Sequence, residues 1–569
     1  WLGNDGKRIV WISQRLRVYT PSKVRPLTMR AKIKRELSMS FRRSLLGATL
    51  LASMFATPSL AENTFNFAFQ GTLKSLDPYS LNETFSLGTL GNVYEGLTAR
   101  DQKLQIIPAL AESWEVITPT QWRFHLRKGV KFHNGNDFTA DDVVFSADRV
   151  RSEGSDLKTR IPADAKFVAV DDHTVDVMLS SPNPILHYEW DSWVIVDKEW
   201  AEANDSVRVT SASDQAATTI SLQSNGTGPF KITSHDGGVS TSFESNTDWW
   251  NAANKQYNID KVEFATVSSD PTRVAALLSG DMDLVYPVPV QDINRVDSNA
   301  TTTTLTGPEL RTIFLGMDQM RDELLYSNVK GKNPFKDVRV RKAFYQAIDI
   351  EAIKSKVMRN LSVPASLLIS PFMFANADQF ERPAYDPDAA KALLAEAGYP
   401  DGFEVGMDCP NDRYVNDEAI CQAVASMLAR VGVKVNLNAQ PKAQYFGKVL
   451  ASGGFDTSFY LLGWTPGSFD SWNILSNILG CRDEAGNGGM FNLGGYCNKE
   501  VDALAAQVLE ENDPVKRLDL ITQAYRITDD EVSHIPLHQQ GLAWGVSEDV
   551  DVAQRADNVL MFYHVNKKQ

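Results

Sequence analysis

Leu126-Arg-Lys-Gly129-Val-Lys-Phe132-His133-Asn-Gly135, followed after two residues by Phe138-Thr139-Ala-Asp141-Asp142-Val143, is the stretch on which the fold turns. Just before it, Trp122-Arg-Phe124-His-Leu126 alternates and the run ends at Gly129, as a strand entering a turn does. Residues 138–147 then read as a helix. Thr139 is its N-cap, and Asp141 and Asp142 fall in the first turn, where the helix dipole favours negative charge. His133 lies between the two and reads as a turn residue rather than a base. A strand, a turn and a capped helix in succession point to a mixed α/β chain.

The same punctuation continues outward. Asn225-Gly-Thr-Gly228-Pro229-Phe230 signals a turn before another alternating strand. A helix follows Pro387 and is stopped by Gly398; another spans roughly Asn416 to Val431, stopped by Gly432 and followed by the strand Val433-Lys-Val435. Val501 to Glu510 and Pro514 to Asp529 read as two late amphipathic helices. No repeat period appears and no linker is rich in Ser, Pro or Gly, so the lobes pack as one body.

With 569 residues, at ~100–200 residues per domain, three to five lobes are expected. Hydrophobic residues make up 43% and charged residues 22%, which excludes disordered and fibrous classes. Lys plus Arg number 57 against 71 Asp plus Glu, a net charge of −14 that argues against a nucleic-acid partner. One apolar run stands out, Leu45 to Ala56, too short to span a bilayer. It fits an export signal: Met39-Ser-Phe-Arg42-Arg43 as the positive n-region, Ser44 to Phe55 as the apolar core, and Ser59-Leu60-Ala61 as the cleavage site. The expected cut after Ala61 leaves Glu62 first in a periplasmic protein, not lipid-anchored because no cysteine is near. Residues 1–38 read as an upstream extension outside the mature chain. Residues 1–61 hold 12 basic and two acidic residues, so the remainder carries −24, a charge that favours solubility.

Four cysteines remain, Cys409, Cys421, Cys481 and Cys497. In an exported chain an even number closing short loops reads as disulfides, here Cys409–Cys421 and Cys481–Cys497, although four cysteines allow three pairings. No GxxxxGK[ST], GxSxG or HExxH pattern occurs. His534 and His538 stand four apart, but Pro536 between them disfavours the helix that would align them on a metal. No catalytic residue, metal or cofactor is implied. A secreted hydrolase with a dispersed triad is the alternative from another class.

Seven stretches in order resemble extracellular solute-binding proteins of the oligopeptide/dipeptide/nickel type, solute-binding family 5, the capture subunits of ABC importers. They are Gly91-Asn-Val-Tyr94-Glu95-Gly96-Leu97; Pro108-Ala-Leu-Ala-Glu112-Ser113-Trp114; the two that open this section; Asn225 to Phe230; Pro334-Phe335-Lys-Asp337-Val-Arg339-Val-Arg341-Lys-Ala343 with Ala347-Ile348-Asp349; and Gly398-Tyr399-Pro400-Asp401-Gly402-Phe403. The resemblance implies a three-lobed periplasmic-binding-protein (Venus-flytrap) fold, α/β, with mixed sheets flanked by helices. Domain I would comprise 62–105, 225–317 and 537–569, domain II 106–224, and domain III 318–536. Crossover segments near Arg311–Met317 and Leu537–Gly545, both largely apolar and extended, would form the hinge. The implied partners are a small molecule or short peptide and inner-membrane permease subunits, with the chain a monomer.

The resemblance also implies a site. Aligned on Gly463-Trp464, the position that in peptide binders supplies an Asp for the ligand ammonium falls on Gly467, with Asp470 three residues on as a substitute. The arginine that grips a ligand carboxylate maps onto Arg413, in Pro410-Asn-Asp-Arg413-Tyr414-Val-Asn416-Asp417. A planar guanidinium suits bidentate carboxylate recognition. Losing the acidic anchor while keeping the basic one shifts preference from peptides toward anions such as opines or aminopolycarboxylates. The alternative for Arg413 is a surface ion pair with Asp412 or Asp417. Trp464 and Trp472 are expected as a cleft wall, with ordinary core aromatics the alternative; Arg311 as a second anion contact, with a structural ion pair the alternative; and Tyr94 and Tyr414 as lesser contacts, with packing the alternative.

Overall fold

The computed structural model describes residues 62–210, 217–483 and 488–568. The export signal, its cut after Ala61 and the extension 1–38 lie outside the described residues. Among those described, no helix is long and apolar enough to cross a membrane.

An eleven-stranded mixed sheet runs through the molecule. Its order is Lys434–Gln440, Glu404–Pro410, Phe459–Trp464, Thr302–Met317, Ile535–Ser547, Leu284–Tyr286, Thr64–Phe69, Lys261–Thr266, Ser240–Ser245 and Phe230–Asp236, with Ser362–Pro364 pairing Ile535–Ser547 off that path. Each half holds a strand with two parallel neighbours: Glu404–Pro410 in one, Thr64–Phe69 in the other. Parallel neighbours require a crossover, supplied between Glu404–Pro410 and Lys434–Gln440 by the helix Asp417–Ala429. A Cys409–Cys421 disulfide staples that strand to its crossover helix, and Cys481–Cys497 forms the second bond, as the spacing predicts.

The halves are joined by the two longest strands, Thr302–Met317 and Ile535–Ser547, antiparallel to each other. These contain both predicted crossover segments. Their ladder is irregular between Pro308 and Thr312: Pro308 faces Gly541 while Thr312 faces Gln539. Extra residues on one strand interrupt pairing and bend it. Separate apolar clusters fill the two sides. One includes Phe67, Phe124, Trp190, Phe264 and Trp544; the other includes Leu315, Phe344, Met407, Leu461 and Leu537. A separate four-stranded antiparallel sheet, Ala111–Thr118, Gln121–Leu126, Thr174–Met178 and Lys166–Asp171 in that order, falls within 106–224.

The opening motifs converge on one knot. The helix Ala140–Val150 starts at Thr139, whose backbone N–H donates to Asp142 at 2.8 Å. The buried Asp197 carboxylate accepts from the amides of Asn134, Asn136 and Asn225 at 3.0, 2.9 and 2.8 Å. Gly226 lies so close to the chain at Val93 that an added Cβ would meet that carbonyl at 2.0 Å. His133 is a turn residue within this knot; Nε2–H donates to the Gly228 carbonyl at 3.0 Å, and burial pushes its pKa down to about 4. His534 and His538 are also buried, and burial holds both down at about 3, as neutral imidazoles.

Candidate ligand-binding cleft

A cleft of about 1510 Å³ opens between 78–109, 160–194, 249–256 and 555–564 on one side and 413–414, 462–477 and 490–491 on the other, with Arg311 also lining it. Six of the seven residues that the sequence singles out line it: Arg413, Tyr414, Trp464, Trp472, Arg311 and Tyr94.

The loop carrying Arg413 is fixed by the helix after it. Asn416 adopts a left-handed conformation (φ 56°) as N-cap of Asp417–Ala429. The Asp417 carboxylate turns back to accept the backbone N–H of Arg413 and Tyr414 at 2.9 and 3.0 Å. Asp412 accepts from the backbone N–H of Lys442 at 2.6 Å. Neither acid therefore pairs with the Arg413 guanidinium. That guanidinium has no hydrogen bond or carboxylate partner among the described residues, and lies 5.0 Å from the Tyr414 ring centroid. Arg413 is exposed to the open cleft, yet protein surrounds it closely enough that desolvation, then the like charge of Arg311, push its pKa down. An anion in the cleft would relieve both.

Arg311 sits at the ladder irregularity, its guanidinium 5.9 Å from the Tyr414 ring centroid, and forms an ion pair with the buried Glu309 at 3.4 Å. Glu309 accepts from the Gln540 amide at 2.7 Å, and the Gln540 amide oxygen accepts the Val415 N–H at 3.1 Å. Tyr414 donates to the Gly463 carbonyl at 3.2 Å. A Cβ at Gly463 would come within 2.8 Å of the Tyr414 ring and 2.6 Å of Ile313, so only glycine lets the ring lie there. The Trp464 indole donates to Asn473 at 2.8 Å and its ring lies 4.6 Å from Phe491, making a partly polar wall. Tyr94 is buried and donates to the Leu76 carbonyl at 3.4 Å, so it mainly packs.

Asp470 does not serve as the expected acidic anchor. It caps the short helix Ser471–Ile474 through the Trp472 N–H at 2.8 Å and forms a two-point ion pair with Arg517 at 2.7 and 2.8 Å. Its charge is already neutralised, and it does not line the cleft.

Sequence reasoning missed several lining residues. Glu95 accepts from both indoles of Trp249 and Trp250, at 3.1 and 2.8 Å, and from Thr227 at 2.8 Å; burial pushes its pKa up to about 7. The tandem Trp249-Trp250 was the available signal. Arg160 donates to the Gly467 carbonyl at 3.2 Å across 307 residues, and Arg100 donates to Ser468 at 3.3 Å with Phe469 4.3 Å from its guanidinium. No local pattern announces such distant pairs. As metal ligands, Asp142, Asp197 and Glu199 approach one another within 4.8 Å, but the first two carboxylates already accept from caps and amides.

A mixed α/β body with two long crossover strands beside a large cleft is the architecture of a solute-binding protein. Residues 105–486 match the family model for bacterial extracellular solute-binding proteins, family 5, and the chain belongs to that family. It is 26% identical over 501 residues to the glutathione-binding protein GsiB of Escherichia coli K12, covering 87% of this chain and 93% of that one. Its fold is similar to the periplasmic binding protein DppA from Helicobacter pylori in complex with the peptide STSA: TM-score 0.71, 21% identity, 89% of this chain and 98% of that one. It is likewise similar to AgaA from Agrobacterium tumefaciens R10 in complex with agropinic acid: TM-score 0.69, 23% identity, 89% and 99% coverage.

Proposed function

We propose that the chain captures a small peptide-like anionic solute in this cleft and delivers it to an inner-membrane ABC importer, as an exported monomer cut after Ala61. The carrying observation is Arg413: a guanidinium in a ligand-sized cleft, held by its loop, with no protein carboxylate on it. Arg311 lies beside it but is paired with Glu309 at 3.4 Å, which leaves Arg413, of the two, as the arginine free to meet a solute carboxylate. Similarity to a glutathione-binding protein supports a ligand of tripeptide size or less with more carboxylates than amines. Gly467 and the engaged Asp470 favour a second reading, a non-peptide anion such as an opine or an aminopolycarboxylate. In this proposal 62–105, 225–317 and 537–569 form domain I, 106–224 domain II and 318–536 domain III, closing around the crossover strands.

Titration calorimetry against glutathione, unmodified dipeptides and tripeptides, and amino-polycarboxylates tests the reading. The expected outcome is one-to-one binding, tighter for the anions, with the solute recovered intact. Arg413→Ala should weaken that binding by ~2–5 kcal/mol, the range for truncating one partner of a desolvated charge pair. A solvated surface pair would give only ~0–1 kcal/mol. Micromolar affinity for ordinary peptides, unaffected by Arg413→Ala, or chemical turnover of any probe, would overturn it.

A further inference from the structure

We propose that Arg160 is a second anion anchor, so that the solute carries two separated anionic groups, one met by Arg413 and the other by Arg160 at the Gly467 loop. This deepens the function proposed above and rests on it. Arg160 is half-buried in the cleft lining, and among the described residues its guanidinium makes one hydrogen bond, from Nη1 to the Gly467 carbonyl at 3.2 Å. No carboxylate lies within ion-pair distance of it among the described residues, unlike its neighbours Arg100, paired with Asp191, and Arg517, paired with Asp470. A side chain at Gly467 would point straight at it: an added Cβ would sit 3.4 and 3.5 Å from Nη1 and Nη2. An acid there would neutralise Arg160; with glycine, four of its five N–H donors have no acceptor among the described residues, in a cleft able to hold a solute. The nearby Glu189 accepts from Asn183 at 3.3 Å; burial pushes its pKa up to about 7 although the Arg160 charge pulls it down, and it makes no ion pair with that guanidinium.

A guanidinium at this place repels a solute ammonium and pairs with a carboxylate bidentately. The matching solute therefore has an anionic group at each end, and no free amine at the Gly467 end.

Three probes that share one C-terminal carboxylate separate the possibilities: alanyl-alanine, its N-acetyl derivative and its N-succinyl derivative, differing only in a positive, neutral or negative distal end. Calorimetry on the wild-type chain should rank succinyl tightest and the free amine weakest. Arg160→Ala should weaken the succinyl probe roughly tenfold or more, to the level of the acetyl probe, and leave the acetyl probe unchanged. Gly467→Asp, whose new side chain meets only the movable end of Arg160, should abolish the succinyl preference and improve the free amine. Equal weakening of all three probes by Arg160→Ala would make Arg160 a latch between the two sides of the cleft and overturn the inference. Arg413-dependent binding of the acetyl probe with no succinyl advantage would overturn it while leaving the proposed function standing. Failure of every probe to bind the wild-type chain would overturn the inference, while the proposed function would still be decided by the glutathione and amino-polycarboxylate panel.

Discussion

Arg413 reached the cleft because its neighbours are occupied elsewhere: Asp417 turns back onto backbone N–H groups and Asp412 onto Lys442. That distinction was illegible in the sequence, where either acid stood close enough to pair with it. Asp470 failed for the converse reason, since its partner Arg517 lies 47 residues away on another helix. Gly463 is the least conspicuous residue of the site and among its most constrained. Gly463→Ala would drive a methyl into Tyr414 and Ile313. Overpacking of this kind costs ~1–3 kcal/mol, expected as a lowered midpoint in urea denaturation. Because Tyr414 lies beside both Arg413 and Arg311, calorimetry should also register roughly tenfold weaker solute binding. A variant with unchanged affinity would show that the Tyr414 ring does not set the guanidinium positions.

At the scale of elements, the sequence was most legible where several local signals agreed. The Thr139 cap, the stop at Gly398 and the stop at Gly432 all lie where composition and turn chemistry put them. Less legible was how elements attach to one another. The clearest instance is Asp77, ahead of the helix Thr84–Leu90, which meets Arg149 near the end of Ala140–Val150 in a two-point pair at 2.9 and 2.6 Å, both side chains fully buried. Nothing near either residue in the chain marks the partnership. Asp77→Asn leaves a buried guanidinium uncompensated and should cost ~3–5 kcal/mol in chemical denaturation. Asp77→Leu with Arg149→Met should recover part of that loss, because two apolar side chains strand no charge. If the single variant lost less than 1 kcal/mol, as a solvated pair would, the pair would contribute little to joining these elements.

At the scale of the whole molecule, the chain's ordered motifs carried the family and the crossover strands, while the irregular pairing between Pro308 and Thr312 is visible only in the folded ladder. Two arginines, Arg160 and Arg100, already reach across the cleft to the Gly467–Phe469 loop. With a solute between the sides, small-angle scattering should report a smaller radius of gyration for the saturated protein than for the empty one. Thermal stability should rise in step, by ~2.7 kcal/mol at a hundredfold excess over Kd. An unchanged scattering profile at saturation would contradict closure. The link from Glu309 through Gln540 to the Val415 N–H has a mechanical consequence. It fastens the loop bearing Arg413 to the bend itself, so a force that straightened the crossover strands would also tug that loop. In the proposed importer cycle, prying the lobes apart and loosening the grip on cargo would then be a single motion.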